Sequence, residues 1–193
     1  MKVVTRNLPL FAALCALPLL AACETTGGAE EKASVELPPQ SCPEVLFVRE
    51  ARVLVRFDGR GTSEQNIRTK AGMTGYVGEC VYEDNHVEVT LDSQWKVERG
   101  AAMRGDEVGL PYFVAIMDPD RETILARKSM RADIEFDDDD VDVIQHIEKL
   151  RHRIPIDSVA DGEAHQIILG FELTEEEQAF NERAIAESRT ARP

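Results

Sequence analysis

The feature that most restricts the fold of this chain is a two-residue alternation of polar and apolar side chains from His86 to Glu98. The odd-numbered positions carry Val, Val, Leu, Ser, Trp and Val, whereas every even-numbered position is polar or charged. Successive side chains of a β-strand point to opposite faces, so this pattern creates one apolar and one wet face. Valine, threonine and tryptophan also favour strands. The pattern therefore predicts a long antiparallel strand with one face on a core.

Six further stretches have strand-like patterns. Residues 45–57 and 123–136 alternate clearly, and in the second stretch Lys128 interrupts the inward row and predicts a bulge. Residues 112–117 are apolar on both faces, which is typical of a strand in the centre of a sheet. The other predicted strands are 67–82, 141–156 and 164–173, and the turns and loops between strands are 58–63, 83–85, 99–110, 118–121 and 157–163.

Residues 141–156 fit both a helix and a strand. The helical spacing is carried by Ile144, Ile147, Leu150 and Ile154, and the strand spacing by Val141, Val143 and Ile147. We favour the strand, because hairpin partners dominate this part of the chain. Thr174 and Glu177 form a capping box that predicts a helix to about Glu187, with Phe180 and Ala184 on its packing side.

This order of elements predicts an all-β fold. About seven strands joined mostly by hairpins, with no alternation of strand and helix, are typical of an antiparallel β-sandwich of the immunoglobulin or fibronectin-III kind. We expect the sandwich domain to cover residues 42–173, and a short C-terminal helix and tail to cover 174–193.

The N-terminus has the organisation of a bacterial lipoprotein signal peptide. Lys2 and Arg6 precede a short apolar stretch that is too short to span a bilayer permanently. The sequence Leu-Ala-Ala-Cys at 20–23 resembles a lipobox, which implies removal of residues 1–22 and acylation of Cys23, palmitate being one such acyl chain. The alternative is an ordinary secretory signal that leaves Cys23 as a spare thiol. Glu24 after the cysteine favours the outer membrane, with the protein facing the periplasm.

Charge and composition limit the partners. Removing residues 1–22 takes away two basic residues and no acidic one, so 22 basic residues become 20 against 36 acidic ones, a net charge of −16. Such a field repels nucleic acid and anionic lipid headgroups. Residues 23–41 contain the acylated cysteine and a glycine-, proline- and glutamate-rich linker without an apolar period. We therefore expect a tethered domain with no nucleic-acid partner.

Two cysteines remain in the predicted mature domain, Cys42 and Cys80. An isolated pair in an oxidising compartment is typical of a disulfide. The alternative is two buried free cysteines. No histidine or cysteine lies at a metal-binding spacing from either residue, which argues against zinc.

Four segments together resemble a group of small uncharacterised lipoproteins of Gram-negative bacteria. They are CPEV at 42, PYFVAIMDPDR at 111, RIPI at 153 and ILGFELTEEEQAFNER at 168. The resemblance implies the same sandwich fold and envelope localisation, and its motifs imply no activity.

Motifs for catalysis are missing from the sequence. It has no Gly-x-Ser-x-Gly elbow and no HExxH helix, and the glycines of GMTGYVG at 72–78 lack the Lys-Ser/Thr of a phosphate loop. His146 and Glu148 are not accompanied by the Cys-x-x-Cys of zinc deaminases. The spacing of His146 and His152 in the sequence is unsuitable for binding one metal ion. We expect both histidines to face solvent. We predict no enzyme activity and no cofactor.

The strongest charge cluster is the acidic stretch from Asp137 to Asp142. It fails as an EF-hand loop because Val141 and Asp142 stand where an oxygen ligand and a glycine are required. A solvated loop is the default interpretation, and a loose divalent-cation contact is the alternative. Its candidate ligands are Asp137, Asp139, Asp140 and Asp142. The favoured function is a lipid-anchored, non-catalytic sandwich that binds or supports another envelope protein, and the alternative is a module that responds to divalent cations.

Overall fold

The computed structural model describes residues 41–137 and 141–190 of the chain. They form an all-β sandwich of two four-stranded sheets with a short C-terminal helix, as predicted. The first sheet has the order β1-β8-β5-β6, and the second has the order β2-β3-β4-β7. The eight strands are β1 (Glu44–Phe47), β2 (Val53–Phe57), β3 (Ile67–Glu83), β4 (His86–Arg99), β5 (Glu107–Met117), β6 (Ile124–Glu135), β7 (Val143–Pro155) and β8 (Gln166–Phe171).

Five strands follow the immunoglobulin Greek-key arrangement. In that sandwich, strands A, B and E lie side by side in one sheet, and strands C and F pair in the other. Here β3, β4 and β7 take the first three places, and β5 and β8 take the other two. Strand β1 lies where strand G would follow F, but it runs parallel to β8. The predicted sandwich is thus confirmed, with one parallel pair in it.

The single strand predicted for residues 45–57 is wrong. The structure divides it into β1 and β2, which belong to different sheets, and a 3-10 turn at Arg49–Ala51 separates them. The Val48 N–H donates to the carbonyl of Leu169 in the first sheet before the chain crosses over. Arg49, which interrupts the apolar row in the sequence, lies in this turn. This division raises the number of strands from about seven to eight.

The long β3–β4 hairpin is confirmed. Glu83 pairs with His86 across a turn of two residues, and the pairing continues to Thr69 and Arg99. One register shift lies between Met73 and Gly75, where glycines interrupt the strand. The ambiguous stretch at 141–156 forms a strand, β7, which pairs with β4 along its whole length.

Strands β5 and β6 differ from the prediction in three ways. Strand β5 begins at Glu107, inside the loop predicted for 99–110, and it lies between β8 and β6. The register shift of β6 falls near Leu125, whereas Lys128 pairs regularly with Val114. Ile124 and Ala126, both predicted to face inward, are exposed. Since β6 is an edge strand, only one neighbouring strand covers it.

The core lies between the sheets and has Trp95 of β4 at its centre. Its ring packs edge-on against Tyr112 of β5 and Phe171 of β8, with ring centroids 5.0 and 5.1 Å away. The indole N–H donates to the Ser93 hydroxyl at 2.8 Å, so the only polar atom of the ring is satisfied. The predicted inward row of β4 is confirmed, since its residues are buried: Val87, Val89, Leu91, Ser93, Trp95 and Val97.

Two α-helices follow β7. Helix α1 (Val159–Ala164) replaces the polar turn predicted for 157–163, and the Ser158 hydroxyl caps it by accepting from the Asp161 N–H. This cap satisfies an N–H that a short helix would otherwise leave unpaired. None of the described helices is both long and apolar enough to cross a membrane.

Helix α2 (Glu175–Thr190) begins at the predicted capping box. The Thr174 N–H donates to Glu177 Oε2 at 2.8 Å, and the Glu177 N–H donates to the Thr174 hydroxyl at 3.3 Å. Glu177 and Asn181 are the buried residues of α2, and the ring of Phe180 packs edge-on against that of Phe57 in β2. Ala184, which we predicted to pack inward, is exposed. The helix therefore docks through one aromatic contact and through the polar side chains of Glu177 and Asn181, and an apolar period alone does not reveal the polar contacts.

Candidate functional site

Cys42 and Cys80 are paired at disulfide distance, with Cα atoms 5.7 Å apart, so the predicted pairing is confirmed. The link joins the start of the described domain to β3, near the turn of the long hairpin. A second contact lies beside it, because the Tyr82 hydroxyl donates to the carbonyl of Ser41 at 2.8 Å. The chain therefore enters the domain next to β3.

Strand β3 has a long edge that no described strand covers. Strand β2 pairs with β3 only as far as Gly72, and the Met73 N–H donates to the carbonyl of Arg52 one step later. The Arg52 guanidinium then donates to the carbonyls of Met73 and Thr74. From Gly75 to Glu83 the strand pairs with β4 on one side, and within residues 41–137 and 141–190 no strand pairs with the other side. An uncovered strand edge is a template for pairing with another chain.

The other sheet edges are protected in ways that this one is not. Strands β6 and β7 carry lysine and arginine side chains along their length, β1 has only four residues, and β2 packs against α2. Positive charge, short length and a covering helix are the usual means of blocking unwanted strand addition. Residues 75–83 of β3 contain no lysine, arginine or proline. This stretch, which we call the β3 edge, is therefore the sheet edge best suited to accept a strand.

The β3 edge also exposes apolar side chains. Val77 and Val81 point to the outer face and are 64% and 58% exposed. Tyr76 is 43% exposed on the opposite face, where its ring meets Phe47 of β1. In strand addition, backbone hydrogen bonds supply affinity and alternate side chains supply specificity. Val77 and Val81 lie on the same face of β3, and an added strand would contact both side chains.

A second group of polar residues lies on the inner face of β7. Glu148 accepts a hydrogen bond from the Tyr112 hydroxyl at 2.7 Å on Oε1 and from His146 Nε2 at 2.8 Å on Oε2. The His146 ring also lies 5.3 Å from the Trp95 ring. The prediction that His146 faces solvent is wrong, because a strand that turns this parity inward places it beside Trp95.

The hydrogen bonds among Glu148, Tyr112 and His146 are those of a structural network. Burial and the hydrogen bond to Glu148 both raise the pKa of Tyr112, so its hydroxyl remains a donor at physiological pH. Within the described part of the chain, His146 makes no hydrogen bond to a serine, threonine or cysteine that it could activate. Glu148 therefore connects the two sheets, since Tyr112 belongs to β5 and His146 to β7.

His152 also points inward rather than to solvent. Its Nε2 atom is buried and has no hydrogen-bond partner among the described residues. Burial lowers its pKa below the usual 6.5, and the positive charge of Lys128 on β6 lowers it further. His146 and His152 share one face of β7, and alternation along the sequence does not show that this face is the inner one.

This burial predicts a pH-dependent stability. Because the folded state disfavours protonated His152, the unfolded state binds more protons, and the free energy of unfolding should fall as the pH drops through about 6.5. The loss should be complete below the lowered pKa of the folded state. Urea unfolding at a series of pH values measures the slope. A His152→Gln variant should reduce that slope, and an unchanged slope would contradict this assignment.

Two sets of predicted site residues lie partly or wholly outside the described residues. Cys23 does so with the predicted signal peptide and linker, and so do Asp139 and Asp140 of the acidic stretch. Asp137 is exposed, and so is Asp142, whose carbonyl accepts from the Arg99 N–H at 2.8 Å. Among the residues that are described, no three His, Cys, Asp or Glu side chains lie close enough to hold a metal ion.

In comparisons with known proteins, no family model, no curated protein and no solved structure matches this chain. The β3 edge is a feature that was not predicted from the sequence. One signal was available, since 75–83 is a strand-like stretch without lysine, arginine or proline.

Proposed function

We propose that this chain is a lipid-anchored, periplasmic and non-catalytic β-sandwich that binds another protein of the cell envelope. The β3 edge is the observation that carries this proposal. It is long, contains no lysine, arginine or proline, and exposes Val77 and Val81 beside the backbone groups that a second strand would pair with. We infer that the partner contributes an extended segment to the second sheet.

The position of the edge in the chain supports this role. The disulfide and the Tyr82–Ser41 hydrogen bond keep the N-terminal entry beside the same end of β3. The proposed linker has a root-mean-square reach of only ~23 Å, so an anchored domain would stay near its membrane. A partner held in that membrane or close to it would meet the β3 edge at a high effective concentration.

The net charge supports a protein partner over nucleic acid. The full chain carries a formal net charge of −14 at pH 7, which repels a polyanion. The edges of β6 and β7 carry lysine and arginine, which oppose strand pairing. These edges suit electrostatic contacts, which are less specific than strand pairing. We therefore place the partner contact on the β3 edge.

Photo-crosslinking from single positions on the anchored protein tests the proposal. A crosslinking residue at Val77 or Val81 should give a discrete adduct with one membrane or periplasmic protein. With the crosslinking residue at one of these two positions, a lysine at the other (Val77→Lys or Val81→Lys) should abolish the adduct, because a charge on an edge strand opposes strand addition. Both side chains are more than half exposed, so the domain should fold normally.

Ile147 supplies the matched control position. It is 53% exposed on β7, at the opposite edge of the same sheet. A crosslinker there should not give the same adduct, and Ile147→Lys should leave the Val77 adduct intact. No adduct from Val77 and Val81, or equal adducts from all three positions, would overturn the proposal. In the same cells, Cys23→Ser should release the protein from membranes if the anchor is as proposed.

A further inference from the structure

Arginines from both sheets surround a small cavity at one end of the sandwich. The cavity has a volume of about 220 Å³, and its polar lining consists of Arg56, Arg68, Thr69, Glu107 and Arg131. Arg56 comes from β2, Arg68 and Thr69 from β3, and Arg131 from β6. Arg68, Glu107 and Arg131 are exposed, so the cavity is accessible from solvent. Such a cluster of three guanidinium groups is unusual in a chain with a net charge of −14.

Arg56 is held in place from behind. Its Nε donates to Glu177 Oε1 at 3.2 Å, and its Nη1 donates to the carbonyl of Gly109 at 3.0 Å. That carbonyl is available because β8 pairs with β5 only from Tyr112 onward. Glu177 is in turn fixed by the capping box of α2. A guanidinium has five N–H donors. The donors of Arg56 that do not contact Glu177 or Gly109 have no hydrogen-bond partner among the described residues.

The other cationic groups are similarly rich in unused donors. The side chain of Arg68 makes no hydrogen bond to a described residue, and that of Arg131 donates through Nε to Asp133 alone. Glu107 is the single carboxylate in the lining. The cavity thus presents many more donors than acceptors, which is the arrangement that an oxyanion satisfies.

Thr69 and Gly109 add two independent observations. The Thr69 side chain lines the cavity and is 1% exposed, yet its hydroxyl has no hydrogen-bond partner among the described residues. Buried hydroxyls without a partner are rare, and each requires an explanation such as a missing ligand. At Gly109 a Cβ atom would lie 1.8 Å from Arg131 Nη2, so the absence of a side chain there makes room for the guanidinium.

We propose that this cavity binds a phosphate group. Planar guanidinium forks match the spacing of phosphate oxygens, and the N–H donors that these three arginines leave unused would satisfy those oxygens. The volume accommodates a phosphate with a small organic substituent and is too small for a nucleotide. A soluble phosphate monoester and a phospholipid headgroup present the same phosphate oxygens to the arginines. This site is separate from the β3 edge and does not depend on the partner proposed for it.

Calorimetry and amide NMR shifts on the purified protein, with its disulfide intact, test this proposal. Inorganic phosphate and glycerol 3-phosphate should bind in the millimolar range or tighter and shift the amides of Thr69 and Gly109. Acetate at the same ionic strength should not. Vesicles of anionic phospholipid, compared with vesicles of neutral lipid, distinguish a headgroup from a soluble ester. Binding of either phosphate source supports the proposal, and binding of neither overturns it.

Two variants separate the site from general charge effects. Arg68→Gln removes an exposed guanidinium and should weaken phosphate binding about tenfold or more, as expected for loss of a charge-assisted contact. Gly109→Ala should displace the Arg131 guanidinium without changing the net charge, and it should weaken binding similarly. Arg153→Gln is the matched control, since Arg153 is exposed on β7 and pairs with Glu88. Equal weakening by Arg153→Gln, or unchanged binding in both cavity variants, would overturn the assignment.

Discussion

Replacing Trp95 with alanine is expected to lower the free energy of unfolding by about 3–5 kcal/mol. The Trp95 ring is fully buried and contacts aromatic rings of both sheets, namely Tyr112, Phe171 and His146. Its loss would leave a cavity between the sheets and remove the donor that satisfies the Ser93 hydroxyl. Urea or guanidinium unfolding, followed by circular dichroism, measures the change.

Ile147→Ala is the control for this prediction. Ile147 lies on the neighbouring strand but is 53% exposed on the outer face, so its truncation should change stability by no more than about 0.5 kcal/mol. Trp95→Phe should fall between the two, because it keeps an aromatic ring and loses the hydrogen bond to Ser93. A Trp95→Ala variant as stable as Ile147→Ala would show that the sheets are not held together at this point.

Removing the Cys42–Cys80 link is expected to cost about 2–4 kcal/mol. The link closes a segment with a sequence separation of 38, and closure of a loop of this length lowers the entropy of the unfolded chain. We expect the Cys42→Ser/Cys80→Ser double variant to unfold at a correspondingly lower denaturant concentration. Amide exchange in β1 should also accelerate, since β1 has only four residues and begins two residues after Cys42.

The reduced wild-type protein is the control for the disulfide. It should match the double serine variant in stability, and adding reductant to the variant itself should have no effect. If the free energy of unfolding falls by less than about 1 kcal/mol, other contacts must restrict the reduced unfolded chain as the disulfide does. Crosslinking from Val77 in this variant would additionally show whether a fixed N-terminal entry is needed for partner binding at the β3 edge.

Local patterns were sufficient for those parts of the fold that depend on neighbouring residues. The alternation at 86–98 identified β4 and its buried face, and the tight turn at 83–85 identified the hairpin with β3. The capping box at Thr174 and Glu177 located the start of α2. In each case the deciding contact lies within a few residues, or on adjacent strands of one hairpin, so the sequence order contains the information.

The candidate sites depend on contacts that sequence order does not contain. Alternation shows which residues of a strand share a face, but not which sheet covers that face, and this is why His146 and His152 were predicted to face solvent. It also does not show where a neighbouring strand ends. The β3 edge exists because β2 stops opposite Gly72 while β3 continues to Glu83.

The division between sequence and tertiary structure follows from the range of the interactions. The amino-acid sequence by itself predicted most of the strands, the long hairpin and the start of the C-terminal helix, because side-chain period, turn residues and caps act over short distances. It predicted the cysteine pair for another reason, since Cys42 and Cys80 were the only two cysteines of the predicted mature domain. Only the tertiary structure decided that residues 45–57 divide between two sheets, that β1 runs parallel to β8 and that Arg56, Arg68 and Arg131 surround one cavity. These features arise from the packing of distant segments, for which no local pattern specifies the partner.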